Sequence, residues 1–121
     1  TDEEQFEFIK QIIQQCDYYI VISAGMYGSI NSETGISYTE MEFDYAQELG
    51  VPTIRLLHRD PFNSLMGSQI ESTASAKKKL KAFHQKLKDG KLCAFWETPS
   101  ELGREVILSL NYIKKRKPAQ G

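Results

Sequence analysis

The chain has 121 residues, of which 40% are hydrophobic and 26% are charged, as is typical of one folded domain. No apolar run approaches the roughly 20 residues that cross a membrane, and the acidic start is unlike a secretory signal peptide. We therefore expect no membrane partner. The two isolated cysteines, Cys16 and Cys93, are typical of a reduced, cytoplasmic protein, and the only histidines, His58 and His84, lack the spacing of a metal site.

The net charge of −1 conceals an asymmetry along the chain. Residues 1–60 carry 11 acidic and three basic side chains, whereas residues 61–121 carry five acidic and twelve basic ones. Basic clusters of this kind form a solvated helix face, or they bind nucleic acid or an acidic partner. Aromatic side chains do not alternate with the lysines, so we do not expect a nucleic-acid platform.

The first elements are a helix and a buried strand. Thr1 and Glu4 form a capping box that begins a helix, which ends at Asp17. Residues 18–24 (YYIVISA) are a β-rich apolar run without alternation, which is typical of a strand covered on both faces. Residues 25–36 are polar and glycine-rich, so we predict a loop.

The middle of the chain repeats this order. Ser37 and Glu40 form a second capping box, and the helix that follows ends at Gly50. Residues 51–58 (VPTIRLLH) are predicted as the next strand. Residues 59–73 are predicted as a long loop, and loops of this length in a small domain are usually functional or mobile.

The last third is predicted to contain a helix over residues 74–89, a short strand over residues 91–96 and a final helix. Thr98 and Glu101 form a third capping box, with a proline at the first helical position. We expect this helix to end near residue 113 and the basic tail, residues 114–121, to be disordered.

The alternation of helices and strands predicts the fold class. Strands joined by helices form βαβ units and a parallel sheet. We therefore expect a single α/β domain over residues 1–113, with a flavodoxin-like parallel sheet of three or more strands flanked by helices. The leading helix has no strand before it, which we interpret as the loss of one or more N-terminal strands from a longer domain.

The loop after the first strand is a candidate ligand site because ligands bind beyond the carboxyl ends of strands in open α/β sheets. It contains Gly25, Gly28 and Ser29. The loop is neither a Walker loop nor a GxGxxG motif. A phosphate-binding loop and a flexible crossover are therefore both open as interpretations.

The helix that begins at Ser37 contains a second candidate. On a helical wheel, Glu42 falls about 40° from Tyr38, inside an apolar stripe, whereas Glu40 falls near the opposite side. We expect Glu42 to face the strand carboxyl ends and Glu40 to face solvent. An inward carboxylate is a functional candidate; alternatively, Glu42 lies at the edge of the stripe and pairs with Arg55.

Three residues in or after the predicted strands have mainly structural interpretations. Arg55 lies in an apolar strand, and we expect it to pair with a carboxylate, either Glu42 or Glu48. His58 ends a strand at the ligand edge, where an isolated histidine is more often structural. Trp96 ends the last strand, and we expect it in the core or at an interface.

Several runs of the sequence are distinctive: residues 16–22 (CDYYIVI), 27–30 (YGSI), 35–46 (GISYTEMEFDYA), 50–52 (GVP) and 95–96 (FW). Together they resemble the bacterial domain-of-unknown-function family DUF4062. That family is similar to Toll/interleukin-1 receptor (TIR) domains and to nucleoside 2-deoxyribosyltransferases. The resemblance covers nearly the whole chain, and the 27–46 region is its most specific part.

The resemblance implies roles for individual residues. Both related groups place a catalytic glutamate on the helix after the second or third strand, with an alanine four residues later, and Glu42 and Ala46 match that spacing. Enzymatic TIR domains carry an aromatic residue four positions before the glutamate, which Tyr38 matches. Glu42 is therefore the expected catalytic residue. We expect substrate contacts from Tyr38, Ser37, Gly25, Tyr27, Gly28 and Ser29.

The implied reaction is cleavage of the N-glycosidic bond of NAD or a related nucleotide, in bacterial signalling or defence. A carboxylate beneath C1′ stabilises the positive charge that develops on the ribose. NAD would be a substrate, and we expect no cofactor and no metal. The alternative is a non-catalytic self-association module of a larger multidomain protein. We expect a homo-oligomer, because a missing first strand would leave a sheet edge uncovered.

Overall fold

The structure is a computed structural model that describes residues 1–117 and 119. These residues form a three-stranded parallel sheet, in the order β1-β2-β3, with helices on both faces. The elements in chain order are α1 (Asp2–Ile13), β1 (Tyr19–Ser23), α2 (Tyr38–Glu48), β2 (Thr53–His58), α3 (Pro61–Ser64), a 3₁₀ turn (Gly67–Gln69), α4 (Ala74–Lys88), β3 (Cys93–Trp96) and α5 (Pro99–Arg116).

The parallel register aligns the strand ends. Tyr19 lies opposite Thr53 where β1 and β2 begin, and His58 lies opposite Trp96 where β2 and β3 end. All carboxyl ends therefore lie at one edge of the sheet, here called the carboxyl edge, and all starts lie at the amino edge. The prediction of an α/β domain with a parallel sheet flanked by helices is confirmed.

Two apolar layers form the core. On one face, sheet residues such as Val21 and Leu57 pack with Phe43 of α2 and with α4. On the other face, Ile54 and Leu56 pack with α5. All six residues of β2 are buried, which explains why this strand has no hydrophobic alternation.

The predicted helix starts are confirmed at Thr1, Ser37 and Thr98, because each side chain accepts a hydrogen bond from the backbone N–H three residues later. At Thr1 the capping box is reciprocal, since Glu4 also bonds back to the cap residue. α4 begins in the same way at Thr73. None of the helices in the part of the chain described is long and apolar enough to cross a membrane.

Several boundaries differ from the prediction: α1 ends at Ile13 and not at Asp17, and β2 and β3 each begin two residues later than predicted, at Thr53 and Cys93. The segment 59–73, predicted as a loop, contains α3 and the 3₁₀ turn, and Pro61 begins α3 because its fixed φ suits a first helical position. α5 continues to Arg116, so residues 114–116 of the predicted tail are helical. The Tyr18 hydroxyl donates to the carbonyl of Lys117 and holds this end in place. Of the remaining residues of the predicted tail, 118, 120 and 121 lie outside the described residues.

Candidate functional site

The loop between β1 and α2 is organised by a buried asparagine. The Asn31 side-chain oxygen accepts from the N–H groups of Glu33 and Thr34, and its backbone N–H donates to Ile36. Ile30 also pairs with Ser37 in an antiparallel bridge. These bonds connect the middle of the loop to the segment that leads into α2.

Tyr27 connects this loop to the start of α2. Its ring is 4% exposed and packs edge-on against Phe83, 6.0 Å away between ring centres. Its hydroxyl accepts from the N–H of Ser37 at 3.1 Å and donates to Glu40 Oε1 at 2.5 Å. The tyrosine hydroxyl is therefore inserted into the predicted capping box, between the cap N–H and the glutamate.

Glu40 does not face solvent, and that expectation is wrong. Its side chain is 13% exposed, and its second oxygen lies 2.6 Å from Lys86 Nζ on α4, which also contacts Asp44 at 2.9 Å. The reason is rotational: the buried residues of α2 are Phe43 and Ala46, so the inward face is centred on them and not on Tyr38. The Glu40 side of the helix therefore meets α4.

Glu42 is partly buried, and burial raises the pKa of its carboxyl group. Burial also raises the pKa of Tyr19, the first residue of β1, and the charge of Glu42 raises it further. Within residues 1–117 and 119, the carboxylate makes no hydrogen bond or ion pair. The expected pairing of Arg55 with Glu42 or Glu48 is wrong, because Arg55 donates to Leu87 O and to the amide oxygen of Gln47.

Tyr38 and Ser37 have structural partners. The Tyr38 ring lies 5.9 Å from the ring of Phe6 on α1, and its hydroxyl accepts from the Asn31 amide at 3.2 Å. Ser37 has no exposed surface, and its hydroxyl caps α2. A ligand could reach Ser37 only after local rearrangement, so its expected substrate contact does not fit this structure.

The glycines of the loop differ in their surroundings. Gly25 is buried, and a Cβ atom there would lie 2.0 Å from the carbonyl oxygen of Gln69, so this glycine permits close packing of two loops. Gly28 is exposed with φ of 99°, a backbone conformation that favours glycine. Ser29 is exposed, and its carbonyl accepts from the N–H of Tyr38.

A cavity of about 630 Å³ lies at the carboxyl edge. Of the predicted site residues, Gly25, Tyr27 and Gly28 line it. Ser29, Ser37, Tyr38 and Glu42 are not in its wall. The cavity wall therefore includes part of the loop but not Glu42, which the sequence interpretation had placed in the same site.

The cavity wall also contains Ser23, Trp96 and His58, and the sequence analysis had placed His58 at this edge. Ser23 is buried, and its hydroxyl lies 2.8 Å from Nε2 of His84, whose pKa is lowered to about 4 mainly by burial. His58 and Trp96 form another part of the wall and pack edge-on, with ring centres 5.1 Å apart. Ser23 and His84 are 61 positions apart, and no sequence pattern connects them.

The described residues contain no group of three or more His, Cys, Asp or Glu side chains placed to hold a metal ion. No curated protein and no solved structure matches the chain. A family model described as a domain of unknown function, DUF4062, matches residues 1–111. Because this match extends over most of the 121 residues, and because the distinctive 27–46 region lies inside it, the chain belongs to the DUF4062 family.

Proposed function

We propose that this domain binds NAD or a related nucleotide and cleaves its N-glycosidic bond, in cytoplasmic bacterial signalling or defence, with Glu42 as the catalytic carboxylate. The proposal rests on the similarity to TIR domains and nucleoside 2-deoxyribosyltransferases in the spacing of Tyr38, Glu42 and Ala46. The supporting observation is the state of Glu42, a partly buried carboxylate without a hydrogen-bonding or charged partner among the described residues.

The chemical argument is electrostatic. Breaking a nicotinamide–ribose bond creates positive charge on the ribose, and a carboxylate close to C1′ stabilises it or traps it covalently. Burial has already raised the pKa of Glu42, which means that its ionised form lacks compensation in the ligand-free protein. A developing cation would supply that compensation, so the interaction strengthens as the bond breaks.

The neighbouring side chains suit a nucleoside. Tyr38 lies one turn before Glu42, and its ring is fixed by Phe6 and by the Asn31 amide, which makes it a preorganised surface for a base or a ribose. Gly28 and Ser29 are exposed, so a phosphate could approach their backbone.

The test compares Glu42→Gln with Glu48→Gln in the full natural chain, by measuring nicotinamide release from NAD. Removing one carboxylate that stabilises a transition state costs on the order of a hundredfold or more in rate, so Glu42→Gln should lose almost all turnover. Glu48 is exposed on the same helix and should be dispensable. Glu40 is an unsuitable control because it bonds Tyr27 and Lys86.

Circular dichroism of each variant separates loss of chemistry from loss of fold. Equal loss of turnover in the two folded variants would contradict the assignment of Glu42. Absence of NAD turnover in the wild-type chain, and of any cleavage of nucleosides or other nucleotides, would contradict the enzymatic proposal as a whole.

A second candidate is self-association, as a module of a larger multidomain protein. Its supporting observation is an apolar groove of about 330 Å³ between β3 and α5, lined by Leu92, Ala94, Leu108 and Tyr112. Leu108 and Tyr112 are each about half exposed, and β3 is an edge strand of the described sheet. A second copy is a suitable occupant because the acidic and basic halves of two chains attract each other.

A further inference from the structure

A second cavity, of about 650 Å³, lies at the amino edge of the sheet, where β2 and β3 begin. We call it the amino-edge cavity. Its apolar wall includes Val51, Pro52, Leu92 and Ile113. The volume is within the range of small-molecule sites in proteins. It lies at the opposite end of the strands from the cavity at the carboxyl edge.

The charged residues in the wall of the amino-edge cavity are all basic. They are Arg55, Lys91, Arg116 and Lys117, and no described carboxylate lines the cavity. Arg116 is held in place, since its guanidinium carbon lies 3.6 Å from the ring centre of Tyr112, another wall residue. Such a concentration of one charge in a concave wall creates a positive potential that attracts anions.

Arg55 is the unusual member of this group. It is 9% exposed, yet its two hydrogen bonds go to neutral oxygens, Leu87 O at 3.2 Å and Gln47 Oε1 at 3.1 Å. Its Nε–H is buried and has no hydrogen-bond partner among residues 1–117 and 119. Burying a cation without an opposite charge is costly, and this cost lowers the pKa of the guanidinium.

The surrounding residues are arranged to hold this guanidinium. A Cβ atom on Gly90 would lie 0.9 Å from Nη1 of Arg55, so the guanidinium occupies the space that a side chain at position 90 would take. Gln47, which accepts from Arg55, is fixed from its other end because its amide donates to Thr53 Oγ1 at 2.7 Å. The position of the buried charge is therefore set by contacts from β2, α2 and the segment after α4.

We propose that the amino-edge cavity binds a phosphate-bearing small molecule, with Arg55 as its buried anchor and Lys91 and Arg116 as contacts nearer solvent. A multiply charged anion supplies the missing opposite charge, and a guanidinium matches the geometry of phosphate oxygens. The apolar wall and Tyr112 accommodate an organic portion of the ligand. This site is separate from the one proposed beside Glu42.

Inorganic pyrophosphate is the probe, and its affinity for the 121-residue chain is measured by calorimetry. Arg55→Met, Lys91→Gln and Arg116→Gln should each weaken binding, with Arg55→Met weakening it by about tenfold or more because it removes charged hydrogen bonds. Lys78→Gln and Arg104→Gln are matched controls, since both residues are exposed and lie outside the cavity wall. Both controls should bind as tightly as the wild type.

Amide chemical shifts locate the binding and separate this proposal from the one concerning Glu42. We expect pyrophosphate to shift the amide signals of Val51, Thr53, Lys91 and Leu92 and to leave those of residues 25–29 unchanged. No binding by the wild type, equal affinity in all variants, or shifts confined to the loop after β1 would overturn the proposal. If Arg55→Met does not fold, the pyrophosphate affinities of Lys91→Gln and Arg116→Gln are compared with those of Lys78→Gln and Arg104→Gln. Weaker binding by the first pair alone supports the proposal, and equal binding by all four overturns it.

Discussion

At the residue scale, environment separates two glutamates that lie two positions apart. Glu40 accepts a hydrogen bond from Tyr27 and pairs with Lys86, so its carboxylate connects α2 to α4. Glu42 is partly buried without such partners, and the pKa of its carboxyl group is raised. The same residue type is thus paired at one position and, among the described residues, without a hydrogen bond or ion pair at the other.

The raised pKa of Glu42 leads to a pH-dependent effect on stability. A carboxyl group that binds its proton more tightly in the folded state stabilises the protein most below its unfolded pKa, and that contribution is lost as pH rises through the folded pKa. Glu42→Gln removes this titration. The melting temperature of Glu42→Gln relative to wild type should therefore increase as pH rises from below 4.5, the ordinary value, to neutrality.

Thermal melts of both proteins at several pH values check this prediction, with Glu48→Gln as the control. Glu48 is an exposed glutamate of the same helix, so Glu48→Gln shows how much of any trend comes from removing a carboxylate from α2 as such. A relative stability of Glu42→Gln that instead falls as pH rises would mean that Glu42 is stabilised as an anion by a partner.

At the element scale, α2 depends on a hydrogen-bonded chain that no local motif predicts. Ser37 and Glu40 have the spacing of a capping box, and the cap on the Glu40 N–H forms as predicted. The second bond of a capping box, from the N–H of the cap residue to the glutamate, is not direct here. The Ser37 N–H donates to the hydroxyl of Tyr27, ten residues earlier, and that hydroxyl donates to Glu40. The tertiary position of that loop therefore decides how the helix start is satisfied.

Tyr27→Phe should destabilise the protein by about 1–3 kcal/mol, because it leaves the buried N–H of Ser37 unpaired while it keeps the aromatic ring. Tyr45→Phe is the matched control: the Tyr45 hydroxyl accepts from Gln14 at an exposed position, and its loss should cost less than about 1 kcal/mol. Urea denaturation measures both. Equal losses in the two variants would contradict the role assigned to Tyr27.

At the scale of the whole molecule, apolar side chains remain exposed on the outer side of α5 and on β3. Ile107 is 62% exposed, and Leu108, Tyr112 and Phe95 are also exposed. Large exposed apolar patches often mark interaction sites. The charge asymmetry between residues 1–60 and 61–121 favours the approach of a second copy.

If a second copy occupies the groove between β3 and α5, the chain should self-associate as its concentration rises. Leu108→Glu places a charge in that groove and should shift the equilibrium to the monomer. Asn111→Glu adds the same charge at an exposed polar position of α5 and should leave association unchanged. Sedimentation velocity measures both, and a wild type that stays monomeric throughout the series would contradict the second candidate function.

The sequence by itself determined the order of the elements, the helix starts at Thr1, Ser37 and Thr98 and the parallel sheet. These features depend on local hydrogen bonds and on the hydrophobicity of short runs of residues. Both can be evaluated from the sequence. The family was also recognisable in the residues, above all in the 27–46 region.

Only the tertiary structure decided the rotation of α2, the partners of Glu40 and Arg55 and the separation of Glu42 from the cavity at the carboxyl edge. α2 carries apolar residues on two sides, so its wheel alone could not show which side meets the sheet. The neutral partners of Arg55 are Gln47 of α2 and Leu87 near the end of α4, which lie 8 and 32 positions from it in the chain and belong to different elements. The physical reason is common to all of these features: burial and charge compensation depend on which elements meet in space, and that information is distributed over the whole fold.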